Sequence, residues 1–150
     1  WIVSANTVEV NSERAFDIYK RNCPAYLEDI SEIHKTEPYV YSQTIAGRDA
    51  QNYGEAKNSF LTGTASWTFV AASQALLGLV PDYDGLKVDP HLPKEMKLTK
   101  ATRTYRNVKY NITIHNDGNP YKMIVNGKEI DGNVIPYNKN DNTVNVDDYM

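Results

Sequence analysis

The chain has 150 residues, of which 41% are hydrophobic and 23% charged, a composition that can form a hydrophobic core and excludes global disorder. Sixteen Lys and Arg residues against nineteen Asp and Glu give a formal net charge of −3, which offers no general attraction to nucleic acid or to a membrane surface. The only cysteine is Cys23, so the chain cannot form an internal disulfide or a thiolate metal cluster. We therefore expect a cytoplasmic protein without membrane or nucleic-acid partners.

The first residues are apolar at helical spacing, and they begin without Met or a polar lead-in. They predict the tail of a helix whose start is missing, so we interpret the sequence as a fragment. Asn11 followed by Ser12 and Glu13 is typical of a helix cap with an acid in the first turn. This cap predicts a helix over about residues 12–23 that ends before Pro24.

Between Pro24 and Thr64 the hydrophobic pattern loosens. This stretch is rich in Tyr, Asn and Asp and contains Pro38, Gly47 and Gly54. Such a composition indicates a long loop that is either functional or disordered.

The clearest element runs from Thr64 to about Leu79, where apolar residues recur in steps of four and three and cover nearly the whole circumference. This pattern predicts a buried helix. Gly78 and Pro81 supply its stop signals.

Beyond Pro81 the pattern becomes that of strands. Residues 82–85, Asp-Tyr-Asp-Gly, predict a turn, and alternating apolar residues at positions 108–114 predict a strand that Arg106-Asn107 turns back onto residues 102–105. Asn126-Gly127 is a strong signal for a type I′ hairpin. We therefore divide the chain into residues 1–93, helical with a connector, and residues 94–150, a β domain.

The segment Thr62-Gly63-Thr64 begins the predicted buried helix. Helix N-terminal amides have no partner inside the helix and carry partial positive charge, so a phosphate fits there. The alternative is that Thr62 or Thr64 merely caps the helix. The three histidines lack metal-binding spacing and Ser66 lies outside a Gly-x-Ser-x-Gly elbow, so the sequence predicts neither a metal site nor a serine hydrolase.

Three segments together resemble the C-terminal region of glycoside hydrolase family 94, the disaccharide phosphorylases. They are residues 37–43 (EPYVYSQ), 54–67 (GEAKNSFLTGTASW) and 81–90 (PDYDGLKVDP), and the likeness extends over about residues 1–115. The resemblance implies the last helices of an (α/α)₆ barrel followed by part of a small antiparallel β domain. The chain is thus expected to be mainly α and then β.

The resemblance also implies an activity: reversible, inverting phosphorolysis, in which phosphate attacks the anomeric carbon and an aspartic acid protonates the leaving oxygen. Inorganic phosphate is then a substrate, and no cofactor is expected. Thr62 and Gly63 match the family's phosphate-binding pair, and Gln43 matches a residue that binds sugar hydroxyls. No aspartate here matches the catalytic acid, so none is assigned. Further expected partners are the remainder of the barrel and, in the full-length protein, a second copy in a homodimer.

The segment 55–59 (EAKNS) resembles that of the glucose-using members rather than the chitobiose-using ones, which favours cellobiose cleavage to α-glucose 1-phosphate and glucose. Phe60 replaces an expected Trp, which leaves laminaribiose or longer cello-oligosaccharides open. Two other classes also stay open: a non-catalytic carbohydrate-binding module on the β strands, and a related hydrolase, which needs a carboxylate base near Thr62 and for which Glu55 is the nearest acid.

Overall fold

The computed structural model describes residues 1–37 and 39–150; Pro38, part of the first family-like segment, lies outside the described residues. Most of the helices come before residue 79 and most of the strands after it, as predicted, but two short strands interrupt the helical part. The described elements before residue 79 are α1 (Ile2–Val8), α2 (Ser12–Asn22), a 3₁₀ helix (Pro24–Ile30), α3 (Ser31–His34), β1 (Ser42–Ile45), β2 (Ala56–Ser59), α4 (Thr64–Val70) and a π-helical segment (Ala71–Leu76).

The predicted cap of the second helix is confirmed. The side-chain oxygen of Asn11 accepts a hydrogen bond from the Arg14 amide at 3.2 Å, and Glu13 lies in the first turn of α2. The predicted long loop is only partly a loop. It contains an antiparallel pair, β1 and β2, with Ser42 opposite Ser59 and Ile45 opposite Ala56.

The third predicted helix has nearly the expected length, because α4 continues without a break into the π-helical segment and ends at Leu76. Its predicted burial is wrong for α4, which has no buried residue. Trp67 is 58% exposed and Phe69 70%, whereas Ala71 and Leu76 are buried. In the described chain, α1, α2 and the strand Leu79–Pro81 pack mainly against the π-helical segment rather than against α4. Apolar periodicity shows that a face can be buried but not which element covers it.

The β region consists of eight short strands. They are β3 (Leu79–Pro81), β4 (Gly85–Val88), β5 (Leu98–Tyr105), β6 (Val108–His115), β7 (Lys122–Val125), β8 (Lys128–Ile130), β9 (Val134–Pro136) and β10 (Thr143–Tyr149). The predicted turns at residues 82–84, 106–107 and 126–127 each join two neighbouring antiparallel strands. Both Asn126 and Gly127 have positive φ, as a type I′ turn requires.

The larger sheet has the order β5-β6-β10-β7-β8. The expectation of a purely antiparallel domain is wrong, because β10 runs parallel to β6 over seven residue pairs. The long connection from β6 through the β7–β8 hairpin and β9 lets the chain return in the direction of β6, which a two-residue turn cannot do.

A smaller sheet has the order β3-β4-β9, so it pairs the first two strands of the β region with a strand from its second half. Its Leu79, Leu86, Val88 and Ile135 belong to the same buried cluster as the inner face of the larger sheet. Leu79, Leu86, Val88 and Leu92 therefore pack with the strands. The (α/α)₆ barrel itself stays a prediction.

Candidate functional site

The site predicted at the start of α4 is built by three consecutive residues. Gly63 is the N-cap, and the Thr62 hydroxyl accepts a hydrogen bond from the Thr64 amide at 3.0 Å and donates one to the Thr64 hydroxyl at 2.8 Å. The nearest atom to a β-carbon placed on Gly63 would be Trp67 Cδ1 at 3.8 Å. Thr62 therefore bonds the first amide of the helix from the position before the N-cap, the N-cap itself has no side-chain capping bond, and Gly63 leaves its peptide open to approach.

A cavity of about 560 Å³ lies against this turn. The Trp1 and Trp67 rings pack together in its wall with their centroids 5.3 Å apart. The lining residues are Trp1, Ile2, Val3, Ile18, Tyr19, Asn22, Thr62, Gly63, Thr64, Trp67, Thr68 and Ala71. The wall is mostly apolar, and its polar groups gather around the Thr62–Thr64 turn and Asn22.

Gln43 lies on β1, and its side-chain oxygen accepts a hydrogen bond from Asn58 of β2 at 2.9 Å. It lines a second cavity of about 330 Å³. The complete lining is Arg21, Asn22, Pro24, Leu27, His34, Val40, Tyr41, Ser42, Gln43, Ile45 and Thr64. Asn22 and Thr64 line both cavities. The fold therefore brings the Thr62–Gly63 turn and Gln43 to the two sides of Thr64.

The charges around these cavities are neutral or positive. Within the described ranges, no Asp or Glu lines either cavity, and Arg21 contributes to the second one a guanidinium whose Nε lies 2.9 Å from Asp17 Oδ2. Glu55 faces elsewhere: one carboxylate oxygen lies 3.1 Å from Lys35 Nζ and the other 3.8 Å from Lys57 Nζ. The hydrogen bond from Lys35 holds the pKa of Glu55 below its ordinary value. Glu55 is therefore a paired surface carboxylate and lies outside both cavity walls.

Sequence reasoning missed Arg21 and Asn22 as lining residues, whereas Tyr41 was expected as packing or pocket wall. Arg21 and Asn22 end α2, where basic and amide side chains are common and give no separate signal. Burial raises the pKa of Tyr41, which counteracts the opposite effect of its hydrogen bond with Thr68 and keeps the phenol neutral. Thr68 belongs to α4, so this tyrosine links β1 to the helix that carries the turn.

Over residues 1–37 and 39–150, no group of three or more His, Cys, Asp or Glu side chains is placed to hold a metal ion. None of the helices in that same part of the chain is long and apolar enough to span a membrane.

Comparison with known proteins identifies the family. The model of the glycosyl hydrolase 94 superfamily catalytic domain matches residues 1–78, just over half of the chain. The chain therefore belongs to the glycosyl hydrolase 94 superfamily. The match ends where the described structure changes from helices to strands, between Leu76 and Leu79.

The curated relatives include several phosphorylases. The chain is 34% identical to the N,N'-diacetylchitobiose phosphorylase of Vibrio proteolyticus over 140 residues, 91% of this chain and 18% of the relative. It is 31% identical to the solabiose phosphorylase of Paenibacillus borealis over 89% of this chain and 18% of that relative. A cellobionic acid phosphorylase of Neurospora crassa is 31% identical over 51% of this chain and 10% of its own length. The chain thus spans less than a fifth of the length of these relatives.

Proposed function

We propose that this chain forms part of an inverting disaccharide phosphorylase and supplies one side of its phosphate and sugar sites. The observation that carries the proposal is the convergence on Thr64 of the two cavities, one containing Thr62 and Gly63 and the other Gln43. Membership of the glycosyl hydrolase 94 superfamily and the phosphorylase activities named for the relatives support it.

In this proposal the Thr62–Gly63 turn binds inorganic phosphate through the Gly63 amide and the Thr62 hydroxyl, which exchanges its donation to the Thr64 hydroxyl for one to phosphate. Phosphate is already an anionic nucleophile, so the site has to hold it rather than activate it. The partial positive charge at the start of α4 favours an anion, and a carboxylate at that place would repel it. The neutral lining of the first cavity fits this requirement.

Gln43 is assigned to the sugar. Its carbonyl oxygen is held by Asn58, which leaves the amide N–H₂ group to donate to hydroxyl groups in the second cavity. The catalytic acid is assigned to no residue of this chain. The remainder of an (α/α)₆ barrel, including that acid, would pack on the apolar face of Trp1, Trp67 and Phe69, all of which are exposed here. A homodimer of the full-length protein and a cytoplasmic location belong to the same proposal.

The disaccharide is proposed as β-linked, with two candidates. The 55–59 segment favours cellobiose, whereas the 34% identity to N,N'-diacetylchitobiose phosphorylases favours diacetylchitobiose. An assay of the full-length protein with phosphate and each disaccharide, together with laminaribiose, measures release of the sugar 1-phosphate. Release from one disaccharide assigns the substrate. Hydrolysis without any requirement for phosphate would contradict the phosphorylase proposal.

The site assignment is tested with a matched pair of variants, Thr62→Ala and Thr62→Ser, in the full-length protein. Loss of one hydrogen bond to a charged ligand costs about 1.5–3 kcal/mol, so Thr62→Ala should raise the KM for phosphate by about 10- to 150-fold. Thr62→Ser keeps the hydroxyl and should stay within about threefold of the wild type. The KM for the disaccharide serves as an internal reference.

The capping alternative makes a different prediction for the same pair. If Thr62 only caps α4, Thr62→Ala lowers the free energy of unfolding by about 1 kcal/mol and leaves the KM for phosphate unchanged. Measuring stability alongside the kinetics therefore separates the two roles. An unchanged KM for phosphate in an active, folded Thr62→Ala enzyme would remove the assignment.

A further inference from the structure

Asp148 is a carboxylate in the core of the β region. It lies on β10 with 0% of its surface exposed, on the same side of the strand as buried Val144 and Val146. Its neighbours in register are Ile114 on β6 and Met123 on β7, both also fully buried. Neither carboxylate oxygen has a hydrogen-bond partner among the described residues. Such a group is rare in a folded protein and calls for a physical explanation.

The charged and titratable groups that face Asp148 come from three places. Asp89, in the connector between β4 and β5 (residues 89–97), raises the pKa of Asp148, and His115, at the end of β6, lowers it. Asp148 in turn raises the pKa of Tyr121, which lies before β7. Asp89 is already paired with Lys87 at 2.8 Å, and His115 contacts Asp147 at 3.0 Å. Lys87 and His115 therefore each contact a carboxylate other than Asp148.

The same connector fastens the β region to the helical region. The Asp89 amide donates to the Gly78 carbonyl at 3.0 Å, and the His91 amide donates to the Leu76 carbonyl at 2.8 Å. On the other side of the connector, the Asn116 side chain donates to the Pro93 carbonyl at 2.9 Å. We call these three hydrogen bonds, together with Asp148, the joint.

We propose that Asp148 is a proton-dependent switch of the joint: a neutral carboxyl group is tolerated between β6 and β7, whereas ionisation loosens this packing and, through Asn116 directly after β6, the attachment of the connector. The ionised form would place an unsolvated negative charge beside Asp89, without the compensating hydrogen bonds that a buried carboxylate needs. Burial, followed by the charge of Asp89, raises the pKa of Asp148 from 3.8 to about 7, which puts the change near neutral pH. This proton-dependent switch is independent of the proposed phosphorylase activity.

The test is amide hydrogen exchange of the chain at pH 5.5 and pH 8.5, corrected for the intrinsic exchange rate at each pH. The protection of the Asp89 and His91 amides should fall by about tenfold or more at pH 8.5, because each pH unit between the pKa of the open state and that of the folded state adds up to a tenfold preference for opening. Asp148→Asn and Asp148→Val cannot ionise, so their protection should be the same at both pH values. Asp131→Asn, an exposed acid in a nearby turn, should behave like the wild type.

A second measurement does not depend on the variants folding. The side-chain carboxyl carbon of Asp148, followed by NMR in the wild type, should titrate with a midpoint near 7. A midpoint near the ordinary value for aspartate would overturn the proposal. Equal protection of the wild type at both pH values, or a pH dependence that persists in both Asp148 variants, would also overturn it.

Discussion

Gly78 marks the passage from the helical region to the strands, and it tolerates no side chain. Its φ is +66°, in the left-handed region, and its carbonyl accepts the Asp89 amide. A β-carbon placed on it would overlap the carbonyl group of Asp89. Gly78→Ala therefore combines a backbone conformation that alanine disfavours with a steric overlap against a backbone that carries part of the joint.

The magnitude follows from these two costs. A left-handed alanine costs about 1–2 kcal/mol, and relieving the overlap adds about 1–3 kcal/mol through displaced backbone and packing. Loss of the Asp89–Gly78 hydrogen bond adds about 1 kcal/mol. The expected loss in the free energy of unfolding is therefore about 3–6 kcal/mol, a large part of the stability of a chain of this size.

Gly127 supplies the matched control. Its φ is +78°, and a β-carbon there would meet no atom within 4 Å. Gly127→Ala should therefore cost only the conformational part, about 1–2 kcal/mol. Urea unfolding followed by circular dichroism measures both variants, and a Tm scan should show a fall of about 10 °C for Gly78→Ala and about 4 °C for Gly127→Ala.

Equal losses in the two variants would refute the reasoning, because the overlap would then contribute nothing beyond the left-handed conformation. A Gly78→Ala chain as stable as the wild type would refute it more strongly. In that case the connector does not rest on Gly78, and the joint has to be built from other contacts.

Three further results are expected. Ile114→Ala, at a fully buried position of β6, should lower the free energy of unfolding by about 2–5 kcal/mol in urea denaturation. Lys35→Ala should raise the pKa of Glu55 toward its ordinary value in an NMR titration, since Lys35 is the main cause of the lowered pKa. The folded chain keeps a proton on Asp148 that the unfolded chain releases, so its contribution to stability is full below about pH 4 and is lost toward pH 7. Denaturant unfolding at several pH values should show Asp148→Asn gaining about 2–4 kcal/mol relative to the wild type between pH 4 and pH 8.

Local signals in the sequence predicted the elements that depend on neighbouring residues. Asn11 caps α2, positions 108–114 alternate in and out along β6, and Asn126-Gly127 turns a hairpin. In each case the hydrogen bonds or the side-chain period involve residues a few positions apart, so the sequence alone contains the information. The three family-like segments added the family, which the comparisons confirm.

The candidate site was predicted as separate parts. The sequence singled out Thr62, Gly63 and Gln43, but nothing in their spacing shows that two cavities meet at Thr64 or that Asn22 lines both. Nor does the sequence show that Glu55 pairs with Lys35, twenty residues away. Such arrangements depend on how α2, β1 and α4 pack together.

Only the tertiary structure decided the long-range pairings and what they cover. The parallel pairing of β10 with β6 and the pairing of β9 with β4 join segments that are distant in sequence, and these pairings place Asp148 inside the core. Trp67 and Phe69 show the opposite difference: their apolar pattern predicts burial, but the described chain leaves them exposed. Hydrophobicity measures how favourable burial is, whereas the covering surface comes from elements that the local sequence does not specify.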